Sequence, residues 1–114
     1  MKSILSTAII LTIVCSDPAS AEYLNYSEWA SLPSAAQAYY ISGAFDALTG
    51  VVNGPTEKYQ KHYADCIRDR RIENLQLSKD LRSFADPRPA VQRRGVIGAL
   101  VIYLIDLCGP VPVT

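Results

Sequence analysis

The chain has 114 residues, of which 49% are hydrophobic and 19% are charged, and its 11 basic residues balance 11 acidic residues. This composition excludes a disordered chain, and the length suffices for one small domain. A neutral chain lacks the summed positive charge of general nucleic-acid and anionic-membrane binders. With one His, three Cys and no glycine-rich phosphate loop, it also lacks the groups that most enzymes and metal sites use.

Residues 1–21 have the pattern of a secretory signal peptide. Lys2 is followed by an apolar segment over residues 4–14, and Ala19-Ser20-Ala21 has the small-x-small spacing that signal peptidase cleaves. We expect cleavage between Ala21 and Glu22, export, and a single domain over residues 22–114. The apolar segment is shorter than the roughly 20 residues that span a bilayer, so we expect no membrane association after cleavage.

The next long apolar segment predicts a helix over residues 34–52, preceded by a short segment that Trp29 anchors to the core. Ser34 and Gln37 have the spacing of a capping box, and Asn53-Gly54-Pro55 ends the helix. Small residues face away from the larger apolar ones at helical spacing, and they are Ala36, Gly43, Ala47 and Gly50. We therefore predict burial on two sides, with helix contacts at Gly43, Asp46 and Gly50.

The middle of the chain is polar. Residues 56–66 are compatible with a short helix or an ordered loop, and residues 67–71 with a charged link. Residues 74–84 predict a helix that turns Leu77, Leu81 and Phe84 inward.

The last helix is predicted to begin with Asp86 as its N-cap and to end at Gly109, directly after Cys108. It is apolar on nearly every face, and a second, small-residue face includes Gly95 and Ala99. A helix apolar all round must be covered all round. Two explanations stay open, namely a homodimer interface on a small-residue face or an irregular arm that covers the second face.

The cysteine count predicts one structural disulfide. Cys15 leaves with the signal peptide, so an even pair, Cys66 and Cys108, remains in an oxidising compartment. The alternative is two free, buried thiols. The predicted fold is therefore an all-α, small bundle of about four helices with one disulfide, and we expect a homodimer.

No motif predicts catalysis or a cofactor. His62 is the only histidine and has no partner at zinc-ligand spacing, so we expect a solvated side chain and no metal; no serine lies in a nucleophile-elbow sequence. We expect a protein that is not an enzyme. Residues 58–94 hold ten basic and five acidic residues, and this region is either a solvated, internally paired face or a partner-binding surface. The candidate binding residues are Tyr59, His62, Tyr63, Arg68, Arg70 and Arg71.

The segment Tyr40-Ile-Ser-Gly-Ala-Phe-Asp-Ala-Leu48 resembles the first helix motif of the Rap/Tai family of type VI secretion immunity proteins. The later features follow in the family's order, with a mid-chain Cys66, a Pro-containing turn and an apolar last helix that ends in Cys108. The chain differs from the family where Gln37 and Asp106-Leu107 stand. The resemblance implies an all-α, usually dimeric periplasmic protein that sterically blocks a peptidoglycan-cleaving amidase effector.

A second hypothesis is a small periplasmic chaperone similar to the acid-stress HdeA type, or another non-catalytic binding protein of the cell envelope. Such a chaperone is also helical, dimeric and held by one disulfide. The apolar helix that ends at Cys108 provides the surface that a chaperone would expose in acid.

Overall fold

The computed structural model describes residues 24–50, 54 and 56–113, so the predicted signal peptide lies outside the described residues. This part of the chain is all-helical, as predicted. Four helices of 12 to 16 residues match the expected number, and two short helices are added. The helices are α1 (Tyr26–Ala30), α2 (Ser34–Thr49), α3 (Glu57–Asp69), α4 (Asn74–Ala85), α5 (Pro89–Gln92) and α6 (Gly95–Cys108).

The core lies where α2, α4 and α6 meet. Leu77 and Leu81 are buried, as the helix pattern predicts, and Phe84 packs its ring against that of Tyr103 at a centroid distance of 5.4 Å. The buried apolar residues of the cluster are Tyr26, Trp29, Ile41, Ala44, Ile67, Leu77, Leu81, Ala85, Val96, Ala99, Leu100, Tyr103 and Leu104.

Residues 24–32 form an arm beside the last helix, as one of the two explanations for that helix expects, and the homodimer stays a prediction. Trp29 is 0% exposed, and its Nε1 donates a hydrogen bond to the carbonyl oxygen of Gln37 at 3.2 Å. The arm packs on α6, where Ala99 is fully buried and the carbonyl oxygen of Leu24 lies 3.9 Å from where a Cβ on Gly95 would stand. The arm thus lies beside Gly95, and Ala99 is buried, while Gly98 and Ile102 of the same face stay partly exposed.

The start of α2 differs from the capping-box prediction. Pro33 is the N-cap, and no side chain caps the helix. Gln37 is buried instead and donates from Nε2 to the carbonyl oxygens of Ala30 (3.1 Å) and Leu32 (2.7 Å), which fixes the turn between α1 and α2. The described helix ends at Thr49 with Gly50 as its C-cap, whose backbone amide donates to the carbonyl oxygen of Asp46 at 2.7 Å. The last two residues of the predicted helix, 51 and 52, lie outside the described residues.

The predicted cap at Asp86 is wrong. Asp86 is the C-cap of α4, and Pro89 occupies the first turn of the separate short helix α5. The chain then turns at Arg93 and Arg94, and α6 begins at Gly95, whose φ of 75° favours glycine. The predicted end of α6 at Cys108 and Gly109 is confirmed.

The Cys66–Cys108 disulfide joins α3 to the last residue of α6. The two Cα atoms are 5.9 Å apart, and the cysteines are separated by 42 positions in sequence. A loop of this length gives an entropic stabilisation of about 4 kcal/mol. The alternative of two free thiols is therefore wrong.

Candidate functional surface on helix α3

Five of the six predicted partner-binding residues lie on α3 or its C-cap, and Arg71 follows directly. We call these six residues, Tyr59, His62, Tyr63, Arg68, Arg70 and Arg71, the α3 surface. Residues 56–66, which the sequence allows to be a helix or a loop, belong to α3 from Glu57 onward. The helix continues to Asp69, through most of the segment 67–71 predicted as a charged link. Tyr59, Tyr63 and Ile67 recur at intervals of four on one side of the helix, and the last two of them pack α3 against the core.

The two tyrosines border an apolar cavity. Tyr59 is 48% exposed, with Lys58 Nζ 5.4 Å from its ring centroid, whereas Tyr63 packs against the core. The cavity has a volume of about 210 Å³. Its lining residues come from α2, α3, α6 and the turn before α3, and they are Leu48, Thr49, Thr56, Tyr59, Gln60, Tyr63, Val101 and Leu104.

His62 connects α3 to the end of α6. Its Nε2 donates a hydrogen bond to the carbonyl oxygen of Gly109 at 3.1 Å, and its ring meets that of Tyr63 edge-on at 4.9 Å between centroids. The side chain is half-buried rather than fully solvated. Among residues 24–50, 54 and 56–113, no three His, Cys, Asp or Glu side chains are grouped so that they could hold a metal ion.

The arginines differ in their partners. Arg68 pairs with Asp65 at 2.6 Å, and Lys61 pairs with the same carboxylate at 2.7 Å. The hydrogen bonds from Lys61 and Arg68 hold the pKa of the half-buried Asp65 carboxyl below its usual value. Arg70 donates from Nη2 to the carbonyl oxygen of Leu107 at 3.2 Å and keeps its charge at the surface.

Arg71 has an unusual backbone conformation. Its φ is 56°, the left-handed region, in the position after the C-cap, where helices that end in this conformation usually have glycine. The amide of Arg71 bonds to the carbonyl oxygen of Arg68 (3.0 Å) and that of Ile72 to Ile67 (3.1 Å), which together form a Schellman motif. A long, exposed cation thus occupies a position that favours a residue without a side chain.

The remaining predicted contact residues lie apart from α3. In the single chain α2 is buried on one side only: Gly43, Asp46 and Gly50 are exposed, and a Cβ on Gly43 would meet nothing within 4 Å. The chain alone therefore does not provide the helix contacts expected at these three residues.

A second exposed surface, on α2, was only partly recognised in the sequence. We define the α2 face as Tyr39, Gly43 and Ala47. Tyr39 is 80% exposed, and the face borders a shallow concavity of about 540 Å³ whose other walls include Tyr40 and Ile97. The i, i+4, i+8 spacing of Tyr39, Gly43 and Ala47 is the signal that would have identified it.

No protein-family model matches the chain, and neither a curated protein nor a solved structure shows significant similarity to it. The family assignment from residues 40–48 thus stays a prediction. Within the part of the chain that the structure describes, no helix has both the length and the apolar character needed to cross a membrane.

Proposed function

We propose that the chain is an exported, periplasmic immunity protein that binds a peptidoglycan-cleaving amidase effector and blocks its active-site groove sterically. The resemblance of residues 40–48 to the Rap/Tai motif supports this proposal, together with the all-α fold and the Cys66–Cys108 bridge. Steric inhibition requires only a surface that fits the effector, so this chain contributes no catalytic residue.

The α3 surface is the proposed binding site, and Arg71 is the observation that carries this assignment. A non-glycine residue in the left-handed region costs roughly 1 kcal/mol or more, and such strain is concentrated at functional sites. Tyr59, in the first turn of α3 and so about 18 Å from Arg71 along the helix axis, adds an exposed aromatic side chain. Tyr and Arg are the residue types that contribute most to protein–protein binding. The half-open cavity beside Tyr59 offers a recess for a partner's apolar side chain.

We further propose that the chain forms a homodimer through the α2 face. The small-residue face of α6 is partly buried beside the arm, so the α2 face is the more exposed of the two predicted candidates. Small residues let two helix backbones approach closely, and Tyr39 adds an aromatic rim.

The proposal is tested by affinity capture of secreted and periplasmic proteins on the immobilised chain. Tyr59→Ala and Arg71→Ala alter the α3 surface, and Tyr39→Ala is the matched tyrosine control on α2. We expect one stoichiometric peptidoglycan hydrolase, retained by wild type and Tyr39→Ala and weakened about tenfold or more by Tyr59→Ala. Equal retention by all variants would refute the site. Recovery of many unfolded proteins in place of one hydrolase would refute the function and favour the HdeA-like chaperone.

A further inference from the structure

Helix α3 has the weakest attachment to the core among the four long helices. Its one buried residue is Ile67, whereas three residues are buried in α2, four in α4 and five in α6. Six of its thirteen residues are charged. A helix of this length is marginal in water without tertiary contacts, so α3 depends on what ties it to the bundle.

Helix α3 packs against both α2 and α6, and its covalent and side-chain hydrogen-bond ties converge on one short segment, the end of α6. Cys66 is bonded to Cys108, His62 donates to the carbonyl oxygen of Gly109, and Arg70 donates to that of Leu107. The two hydrogen bonds exist only while α3 is folded and in place. The disulfide persists when α3 unfolds and keeps the residues of α3 close to the end of α6. It therefore limits the conformational entropy that α3 gains by unfolding.

We propose that the Cys66–Cys108 disulfide controls the folding of α3 locally: its reduction unfolds α3 while α2, α4 and α6 stay folded. In the reaction a thiolate of a dithiol reductant attacks one sulfur, and its second thiol resolves the mixed disulfide. Two electrons and two protons end on Cys66 and Cys108 as thiols, and the dithiol becomes a disulfide. As far as it concerns binding, the inference rests on the proposed function: the α3 surface exists only in the oxidised chain, so the chain acquires its binding surface after export.

Hydrogen exchange read by mass spectrometry tests the inference on the purified chain, oxidised and after treatment with dithiothreitol. The Cys66→Ser/Cys108→Ser double variant repeats the test without reductant. We expect protection in residues 57–69 to fall at least about tenfold, and that in residues 34–49, 74–85 and 96–104 to stay within about threefold. The control is Leu81→Ala, which weakens the core and should lower the most protected amides of α2, α4 and α6 together.

Two results would overturn the inference. Equal loss of protection in all helices would mean that the disulfide supports the whole domain, and unchanged protection in α3 would mean that noncovalent contacts suffice. Capture of the hydrolase by the double variant is measured in parallel. Loss of protection in α3 with capture intact would uphold the local unfolding and refute the α3 surface as the binding site.

Discussion

The hydroxyl of Tyr26 ties the N-terminal arm to the bundle, and its removal is the sharpest test of how the arm is held. Tyr26 Oη donates to Asp86 Oδ1 at 2.5 Å, and the same carboxylate accepts from Arg82 Nε at 3.1 Å. Arg82 also donates from Nη1 to the carbonyl oxygen of Ala30 at 3.1 Å, so α1 and α4 share one polar network. Tyr26→Phe deletes one hydrogen bond of this network and leaves the buried ring in place.

A hydrogen bond to a charged group contributes about 1.5–3 kcal/mol. The Asp86 side chain is 47% exposed, so solvent screening favours the low end of this range. We therefore expect Tyr26→Phe to lower the free energy of unfolding by about 1.5 kcal/mol at pH 7, which corresponds to a Tm decrease of about 6–12 °C for a domain of this size.

The effect should depend on pH. Burial and the hydrogen bond to Asp86 raise the pKa of Tyr26, which stays neutral up to strongly alkaline pH. Desolvation acts to raise the pKa of Asp86, but the hydrogen bonds from Arg82 and Tyr26 outweigh it and leave this pKa below its ordinary value of 3.8. A depressed carboxyl pKa contributes stability that is present above the unfolded value and lost as the pH falls through the lower folded value.

Thermal unfolding followed by circular dichroism at pH 7 and near pH 2 measures both expectations, with the exposed Tyr39→Phe as the control. The variant and the wild type should differ at pH 7 and approach each other in acid, since protonation of Asp86 removes the charge that strengthens the bond. An unchanged Tm at pH 7, or an equal difference at both pH values, would refute the reasoning.

Three further substitutions have defined outcomes. Leu81→Ala in the core should cost about 2–5 kcal/mol in chemical unfolding, whereas the half-exposed Leu75→Ala should cost less than about 1 kcal/mol; equal costs would contradict the core assignment. Arg71→Gly should raise the free energy of unfolding by about 1 kcal/mol, because glycine adopts a φ of 56° without strain, and it should weaken capture of the hydrolase. A variant less stable than wild type would argue against backbone strain. Gly43→Lys should keep or raise the free energy of unfolding, since a Cβ at this position meets no atom within 4 Å. The variant should sediment as a monomer, and persistent dimers would exclude the α2 face as the dimer interface.

The sequence predicts best where one local signal decides the structure. The spacing of Leu77, Leu81 and Phe84 predicts α4 to within a residue of its observed end, because a periodic apolar stripe and its burial are the same property. The Cys66–Cys108 bridge follows from the count of cysteines in an exported chain. Both predictions need no knowledge of distant contacts.

The sequence fails where a polar residue has a choice of partners. Asp86 precedes a proline-containing turn and resembles an N-cap, but a tyrosine 60 positions away uses its carboxylate. Gln37 has capping-box spacing, yet two carbonyl oxygens of the preceding turn compete for its amide. The prediction that α2 is buried on two sides is not met within the single chain for a different reason. The residue pattern alone does not tell whether a second chain or the same chain covers an apolar face.

The central claim is that the α3 surface blocks a peptidoglycan amidase, and titration of the captured hydrolase with the chain tests it most directly. Release of peptide from purified peptidoglycan is measured against increasing wild type, Tyr59→Ala and Tyr39→Ala. The account predicts that hydrolysis stops at stoichiometric wild type and Tyr39→Ala and continues with Tyr59→Ala. Hydrolysis that proceeds at full rate in the presence of saturating wild-type chain would contradict it.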